Sequence, residues 1–129
     1  ESFVLTVDEN WTAEALGNVL DNAVKYSDEG ASVQVETVPY ESFVCIRVRD
    51  FGPGIREDEQ GKIFQRFYRS DDVRDKPGFG IGLYLVREIL GNQGGYVKVE
   101  SEPGKGTTMK LFLPRYEELA GGNGPERYL

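Results

Sequence analysis

Hydrophobic residues recur at helical spacing in two long segments of the chain. The first segment runs from Trp11 to about Tyr26 and the second begins at Gly82. Apolar residues at positions i, i+3, i+4, i+7 and i+8 mark the first: Leu16, Val19, Leu20, Ala23 and Val24. In the second, one face carries Leu85, Val86, Ile89 and Leu90. The spacing predicts two amphipathic helices, the first capped by the polar residues around Asp8 and anchored by Trp11.

Shorter segments carry the alternating apolar pattern of β-strands. Five are predicted, at residues 3–7, 32–38, 42–50, 97–99 and 107–113. Residues 56–68 indicate one or two short helices, and residues 70–77 are charged and aperiodic, which is typical of a mobile loop. Hairpin-spaced strands beside separate amphipathic helices predict an α/β fold. We expect a two-layer sandwich, in which helices cover one face of a mixed five-stranded sheet.

Length and composition narrow the classes of protein. The 129 residues, of which 39% are hydrophobic and 29% charged, predict one globular domain at 1–114 and a polar tail at 115–129. The net charge of −7 argues against a nucleic-acid partner, because such binders need basic surfaces. The chain has no histidine and a single cysteine, Cys45, which excludes an internal disulfide, a histidine-based triad and a phosphorylated histidine within it.

Polar residues on the first predicted helix point to ligand chemistry. Glu14, Asn18, Asn22 and Lys25 fall roughly opposite the apolar stripe, where a solvated face is the simplest interpretation. Asparagine is a mediocre helix former, however, and two of them one turn apart suggest oxygens kept for a ligand. Amide oxygens suit a Mg²⁺ ion that phosphates already half-neutralise, and a lysine one turn on suits phosphate.

Asp50 ends an apolar strand face. Val44, Ile46 and Val48 share one face of the predicted strand, and the two-residue period places Asp50 on the same side. A carboxylate there is costly unless it is paired, so it is either a cap, half of a salt bridge, or an acceptor for a ligand such as an exocyclic amine. The glycines at positions 52 and 54 would let a flat ligand approach the backbone.

Two further glycine-rich segments add weaker signals. Gly78, Gly80 and Gly82 precede the second helix, an arrangement that exposes backbone N–H groups to an anion. Their spacing is neither the dinucleotide-binding fingerprint nor a P-loop. Residues 104–107 lie between two strands and would pass alone as a hairpin turn.

Taken together and in order, these segments resemble a known family, the catalytic ATP-binding domain of bacterial sensor histidine kinases. This family shares a superfamily with DNA gyrase, the heat-shock chaperone and the mismatch-repair ATPase. The resemblance covers residues 2–114 and rests on its N, G1, F, G2 and G3 boxes: Asn18-x3-Asn22-Ala23-x-Lys25-Tyr26, Asp50-x-Gly52-x-Gly54, Phe64-x2-Phe67, Gly78-x-Gly80-x-Gly82-Leu83 and Gly104-x-Gly106-Thr107. It implies a Bergerat-type sandwich that holds ATP beneath a flexible lid at about residues 56–77.

The resemblance also implies roles for individual residues. Asn22, helped by Asn18, would ligate Mg²⁺, and Asp50 would accept a hydrogen bond from the adenine amino group. Lys25 and Arg69 would contact the phosphates, with Arg66 and Arg74 as weaker candidates. The other residues expected to contact or shape the ATP site are Tyr26, Gly52, Gly54, Ile55, Gly78, Gly80, Ile81, Gly82, Leu83 and Thr107, with Thr108 adjacent.

Position 18 separates kinases from ATPases within this superfamily. The resemblance implies that ATPases, and serine kinases of the anti-sigma type, carry a glutamate there to activate the attacking group. An amide such as that of Asn18 cannot act as a general base near neutral pH. Catalysis would then depend on positioning and on charge neutralisation by Mg²⁺, Lys25 and Arg69. The alternatives are an ATPase or serine kinase of the same superfamily, or an inactive nucleotide-binding module.

A phosphoacceptor must come from outside this chain, because the chain has no histidine. The resemblance implies a helical dimerisation domain that carries the histidine, N-terminal to this one in a longer protein, and a response regulator that receives the phosphoryl group. We expect the fragment to be cytoplasmic and monomeric, and its parent to be a homodimer anchored in the cytoplasmic membrane.

Overall fold

A computed structural model of the chain describes Leu5 and residues 7–27, 30–66 and 82–115. The predicted elements that fall within these ranges are present. The helices are α1 (Glu9–Tyr26), α2 (Glu57–Gln60) and α3 (Gly82–Asn92), and the strands are β1 (Gln34–Pro39), β2 (Phe43–Asp50), β3 (Tyr96–Ser101) and β4 (Thr107–Pro114).

The described strands form one antiparallel sheet in the order β1-β2-β4-β3. In the central pair, β2 and β4, Phe43 lies opposite Pro114 and Asp50 lies opposite Thr107. The last residue of β2 therefore sits beside the first residue of β4. This register brings the loop after β2 next to the turn between β3 and β4, although some fifty residues of sequence separate them.

The hydrophobic core lies between the helices and one face of this sheet. Helices α1 and α3 pack against each other, and both also contact the sheet. The core combines buried residues of α1, β2, α3 and β4: Ala15, Val19, Ala23, Val48, Val86, Ile89, Leu90, Met109, Leu111 and Leu113. The predicted sandwich with helices on one face is thereby confirmed.

The sheet differs from the prediction in strand number. Sequence patterning predicted five strands in a mixed sheet, whereas the described part has four, all antiparallel. The first predicted strand, residues 3–7, lies for the most part outside the described residues. Leu5 and Val7 are described, and both pack against the core.

The N-terminal end of α1 confirms one prediction and corrects another. The side chain of Asp8 accepts a hydrogen bond from the Trp11 backbone N–H at 3.0 Å, which confirms the predicted cap. The Trp11 side chain, however, is 56% exposed, so the expectation that it anchors the helix was wrong. Trp11 lies in the first turn of α1, one turn before the buried Ala15, and a helical hydrophobic pattern does not reveal whether burial extends to the end of the helix.

The opposite sheet face carries a small aromatic cluster. The rings of Tyr96 and Phe112 stack at 4.4 Å between centroids, and Phe43 meets Tyr96 edge-on at 5.3 Å. Cys45 lies opposite Phe112 in the register of β2 and β4 and is fully buried. Burial raises the pKa of its thiol above the ordinary value, so this cysteine packs as a small hydrophobic residue.

Candidate functional site

Asp50 is the buried charge at the sheet end nearest the glycine-rich loop. It is only 7% exposed, and its Oδ1 accepts hydrogen bonds from two backbone N–H groups, those of Gly52 at 3.0 Å and Thr107 at 3.2 Å. No cation pairs with it among the described residues, which removes the salt-bridge alternative from that part of the chain. Its second oxygen, Oδ2, has no hydrogen-bond partner in the same described part.

The electrostatics of Asp50 follow from this environment. Desolvation by burial raises the pKa of the carboxyl above its ordinary value, and the two backbone hydrogen bonds offset this only in part. A largely buried carboxylate, with one oxygen fixed and the other without a partner among the described residues, can accept one more hydrogen bond. An amino group of a ligand can supply that bond.

Two glycines hold the loop after β2 against the β3–β4 turn. A Cβ at Gly54 would lie 2.1 Å from the carbonyl oxygen of Glu102, and one at Gly106 would lie 2.2 Å from the carbonyl oxygen of Asp50. Both glycines have positive φ, +77° and +83° respectively. The backbone N–H of Gly104 also donates to the Pro53 carbonyl at 2.7 Å. Side chains at either position would therefore force the two segments apart.

A side-chain network that the sequence did not reveal links the same segments. Ser101 Oγ accepts a hydrogen bond from the Ile55 N–H at 2.8 Å and lies 2.8 Å from Thr107 Oγ1. The amide nitrogen of Gln60 donates to the carbonyls of Ile55 and Ser101, both at 2.9 Å. A signal for Ser101 existed, because it ends the inward face of β3 that carries Val97 and Val99. No signal distinguished Gln60 from a solvated helix residue.

The two asparagines of α1 lie at the boundary between its buried and exposed faces. Both are half-buried, which corrects the expectation that they stand opposite the apolar stripe. Asn18 Nδ2 donates to the Gly82 carbonyl at 3.4 Å, so the N and G2 segments meet. The Asn22 side chain has no hydrogen-bond partner within the described ranges. Lys25 is exposed one turn beyond the asparagines.

These amides could hold a metal only together with ligands from outside the protein. Among the described residues, no cluster of three or more His, Cys, Asp or Glu side chains could bind a metal ion. The Asn18 amide uses its nitrogen on Gly82, which leaves its oxygen as an acceptor. Neutral oxygen ligands of this kind fit a hard cation that phosphate oxygens and water also coordinate.

The other predicted site residues either lie outside this cluster or outside the described residues. Leu83 packs against the core beside Gly82, and Arg66 lies 5.7 Å from the centre of the Tyr84 ring. The remaining predicted residues lie outside the described residues, which for Tyr26 applies to its side chain: Tyr26, Phe67, Arg69, Arg74, Gly78, Gly80 and Ile81. Of the expected lid, residues 56–66 are described.

Comparison with known proteins identifies the family. The model of the family described as histidine kinase-, DNA gyrase B- and HSP90-like ATPase matches residues 7–117. This match spans most of the chain. The fold and the clustering of Asp50, Gly54 and Gly106 agree with it. The chain belongs to this family of ATPase-type domains.

Its curated relatives are sensor histidine kinases. The chain is 34% identical to the sensor-like histidine kinase SenX3 of Mycolicibacterium smegmatis, over 86% of this chain and 29% of the relative. It is 37% identical to the sensor histidine kinase WalK of Bacillus subtilis, over 87% and 19%. It is 41% identical to the histidine-protein kinase/phosphatase MprB of Mycobacterium sp. strain KMS, over 87% and 23%. The chain therefore spans about a fifth to a third of these relatives.

Solved structures agree with this assignment. The structure of the mycobacterial sensor histidine kinase MprB superposes with a TM-score of 0.80 at 33% identity, covering 85% of this chain and 76% of that one. The structure of full-length ShkA in complex with AMPPNP gives a TM-score of 0.74 at 31% identity, covering 83% of this chain and 22% of that one. No helix in the described part of this chain is both long and apolar enough to cross a membrane.

Proposed function

We propose that this chain binds Mg-ATP, with the adenine amino group donating to Asp50. The observation that carries the proposal is the buried Asp50 carboxylate, whose Oδ1 is held by two backbone N–H groups while Oδ2 has no partner among the described residues. A fixed, largely buried acceptor favours a ligand that presents a donor, because a carboxylate that loses solvent without gaining a hydrogen bond is unfavourable. Thr107 and the Gly52–Gly54 segment border this acceptor.

The phosphate end of the nucleotide is proposed to lie at Asn18 and Asn22. Their half-buried amides adjoin the start of α3, and Lys25 follows one turn later. In this proposal Mg²⁺, when bound, neutralises phosphate charge, and the amide oxygens of Asn22 and Asn18 orient it. Arg69, Gly78, Gly80 and Ile81 complete the proposed site on the grounds of resemblance alone.

The proposed reaction is transfer of the γ-phosphoryl group to a histidine on a separate helical dimerisation domain. The chain itself has no histidine, and its relatives are three to five times longer and are named sensor histidine kinases. Asn18 stands where a hydrolase of this superfamily would need a general base, so water attack is expected to be slow. Residues 1–114 are proposed as the catalytic domain, located in a cytoplasmic segment of a homodimeric parent protein. The phosphoryl group is proposed to pass from the histidine to a response regulator.

The test combines binding and transfer. Calorimetry with a non-hydrolysable ATP analogue, with and without Mg²⁺, measures binding, and labelled ATP with the acceptor domain of the parent protein measures transfer. We expect Mg²⁺-dependent binding and label on the acceptor. Equal turnover without the acceptor would instead favour an ATPase, and the absence of binding under both conditions would overturn the proposal.

A further inference from the structure

Gln60 joins the beginning of the expected lid to the end of β3. Its side chain is half-buried, and its amide nitrogen donates one hydrogen to the Ile55 carbonyl and the other to the Ser101 carbonyl. The two acceptors are 46 residues apart in sequence, yet each lies 2.9 Å from the same nitrogen. A primary amide nitrogen has two N–H groups, so both are used.

Ser101 lies on the other side of this connection and has a saturated hydroxyl. Its Oγ is 3.0 Å from the Gly106 carbonyl, which can only accept, so the single hydroxyl proton of Ser101 goes there. Thr107 Oγ1, 2.8 Å away, must then donate its own proton to Ser101, while the Ile55 N–H supplies a second bond. The Thr107 hydroxyl is therefore left with lone pairs only for any further contact.

We propose that Gln60 is a positioning residue for recognition of the base, because it fixes Ile55 and Ser101 together and thereby orients Thr107 beside Asp50. The inference rests on the proposed function, since it assigns the base-recognising end of the same site. Thr107 connects Ser101 to Asp50 directly, because its N–H donates to Asp50 while its hydroxyl donates to Ser101. If the two hydrogen bonds of the Gln60 side chain are lost, the Ile55 segment is no longer held against Ser101. The orientation of the Thr107 hydroxyl is then no longer fixed either.

The test compares ADP with inosine diphosphate, which carries a carbonyl oxygen in place of the adenine amine. For the wild-type chain we expect a clear preference for ADP. Gln60→Leu keeps the size of the side chain but removes both donors, and we expect ADP affinity to fall about tenfold, with the preference for ADP reduced. Gln60→Glu places an acceptor against two carbonyls, so its effect should exceed that of Gln60→Leu.

Gln34→Leu is the matched control, since Gln34 is exposed on β1 and should leave both affinities unchanged. If Gln60→Leu lowers the melting temperature but leaves the ratio of ADP to inosine diphosphate affinity intact, Gln60 is merely structural and the inference is overturned. The same holds if Gln60→Glu binds ADP better than Gln60→Leu.

A measurement without nucleotide separates this inference from the proposed function. In nitrogen-15 NMR spectra of the wild-type chain, the side-chain amide protons of Gln60 should exchange more slowly with solvent than those of Gln34. Equal exchange would overturn the connection even if every Gln60 variant failed to fold. If instead the protection is present but the wild-type chain binds no ADP, the proposed function fails while the Gln60 connection stands.

Discussion

Replacement of Asp50 by asparagine separates the effect of the carboxylate on stability from its effect on binding. The asparagine Oδ1 can still accept the hydrogen bonds from Gly52 and Thr107. An NH2 group replaces Oδ2, however, and this group is a donor that faces the donor of the adenine amine. The shape of the site is kept while the sign of one contact is reversed.

The expected magnitudes follow from the burial of this residue. A hydrogen bond to a charged acceptor contributes about 1.5–3 kcal/mol, so affinity for ADP should fall by about ten- to a hundredfold. Folding raises the pKa of the Asp50 carboxyl above its unfolded value. Its contribution to stability is therefore fully present below the unfolded pKa and is lost as pH rises through the folded pKa. At neutral pH, a neutral asparagine should leave the free energy of unfolding unchanged or increased.

The assay pairs calorimetry with ADP and thermal unfolding of the nucleotide-free chain, both measured across pH. Affinity of the wild-type chain for ADP should decrease as acid protonates Asp50, and Asp50→Asn should show no such dependence. Two results would refute this reasoning. One is unchanged ADP affinity in Asp50→Asn, and the other is a loss of stability as large as the loss of binding free energy.

Three further predictions address the glycines, the metal and the cysteine. Gly106→Ala should destabilise the fold well beyond the strain of about 1–2 kcal/mol expected from positive φ alone, because its Cβ would meet the Asp50 carbonyl at 2.2 Å. Gly104→Ala, with φ +82° and open space, is the control measured beside it by urea unfolding, and equal losses would contradict the geometry. Mg²⁺ should raise the affinity of the wild-type chain for an ATP analogue, measured by calorimetry, but should not raise that of Asn22→Ala, whose Mg²⁺-free affinity should be unchanged. Asn10→Ala, at an exposed position, is the control. A Mg²⁺ effect that survives in Asn22→Ala would argue against the metal site. Cys45, fully buried with a raised thiol pKa, should react with a thiol reagent only after unfolding, so rapid labelling of the native chain would contradict its burial.

The secondary structure and the inward direction of Asp50 could be predicted because both depend on local periodicity. The period of α1 and α3 comes from burial of one helix face, and the alternation along β2 places Asp50 with Val44 and Val48. Residue type then supplied the chemistry, since a carboxylate at the end of an apolar face requires a partner.

Contacts between distant segments could not be predicted in the same way. Gly104 and Gly106 both have positive φ, but only Gly106 faces another backbone, and the register of β2 with β4 decides this. Likewise Gln60 meets Ser101 across 41 residues, through packing of α2 near β3. The boundary position of Asn18 also depends on where α3 packs, because a helical wheel gives angles but not the neighbour.

A crystal structure of the chain with Mg²⁺ and a non-hydrolysable ATP analogue would test most directly whether one nucleotide joins Asp50 to Asn22. We predict that the adenine amine lies within hydrogen-bond distance of Asp50 Oδ2 and that a metal ion lies on the side-chain oxygen of Asn22. An adenine ring that makes no contact with Asp50, or a metal ion remote from Asn18 and Asn22, would contradict the proposed site.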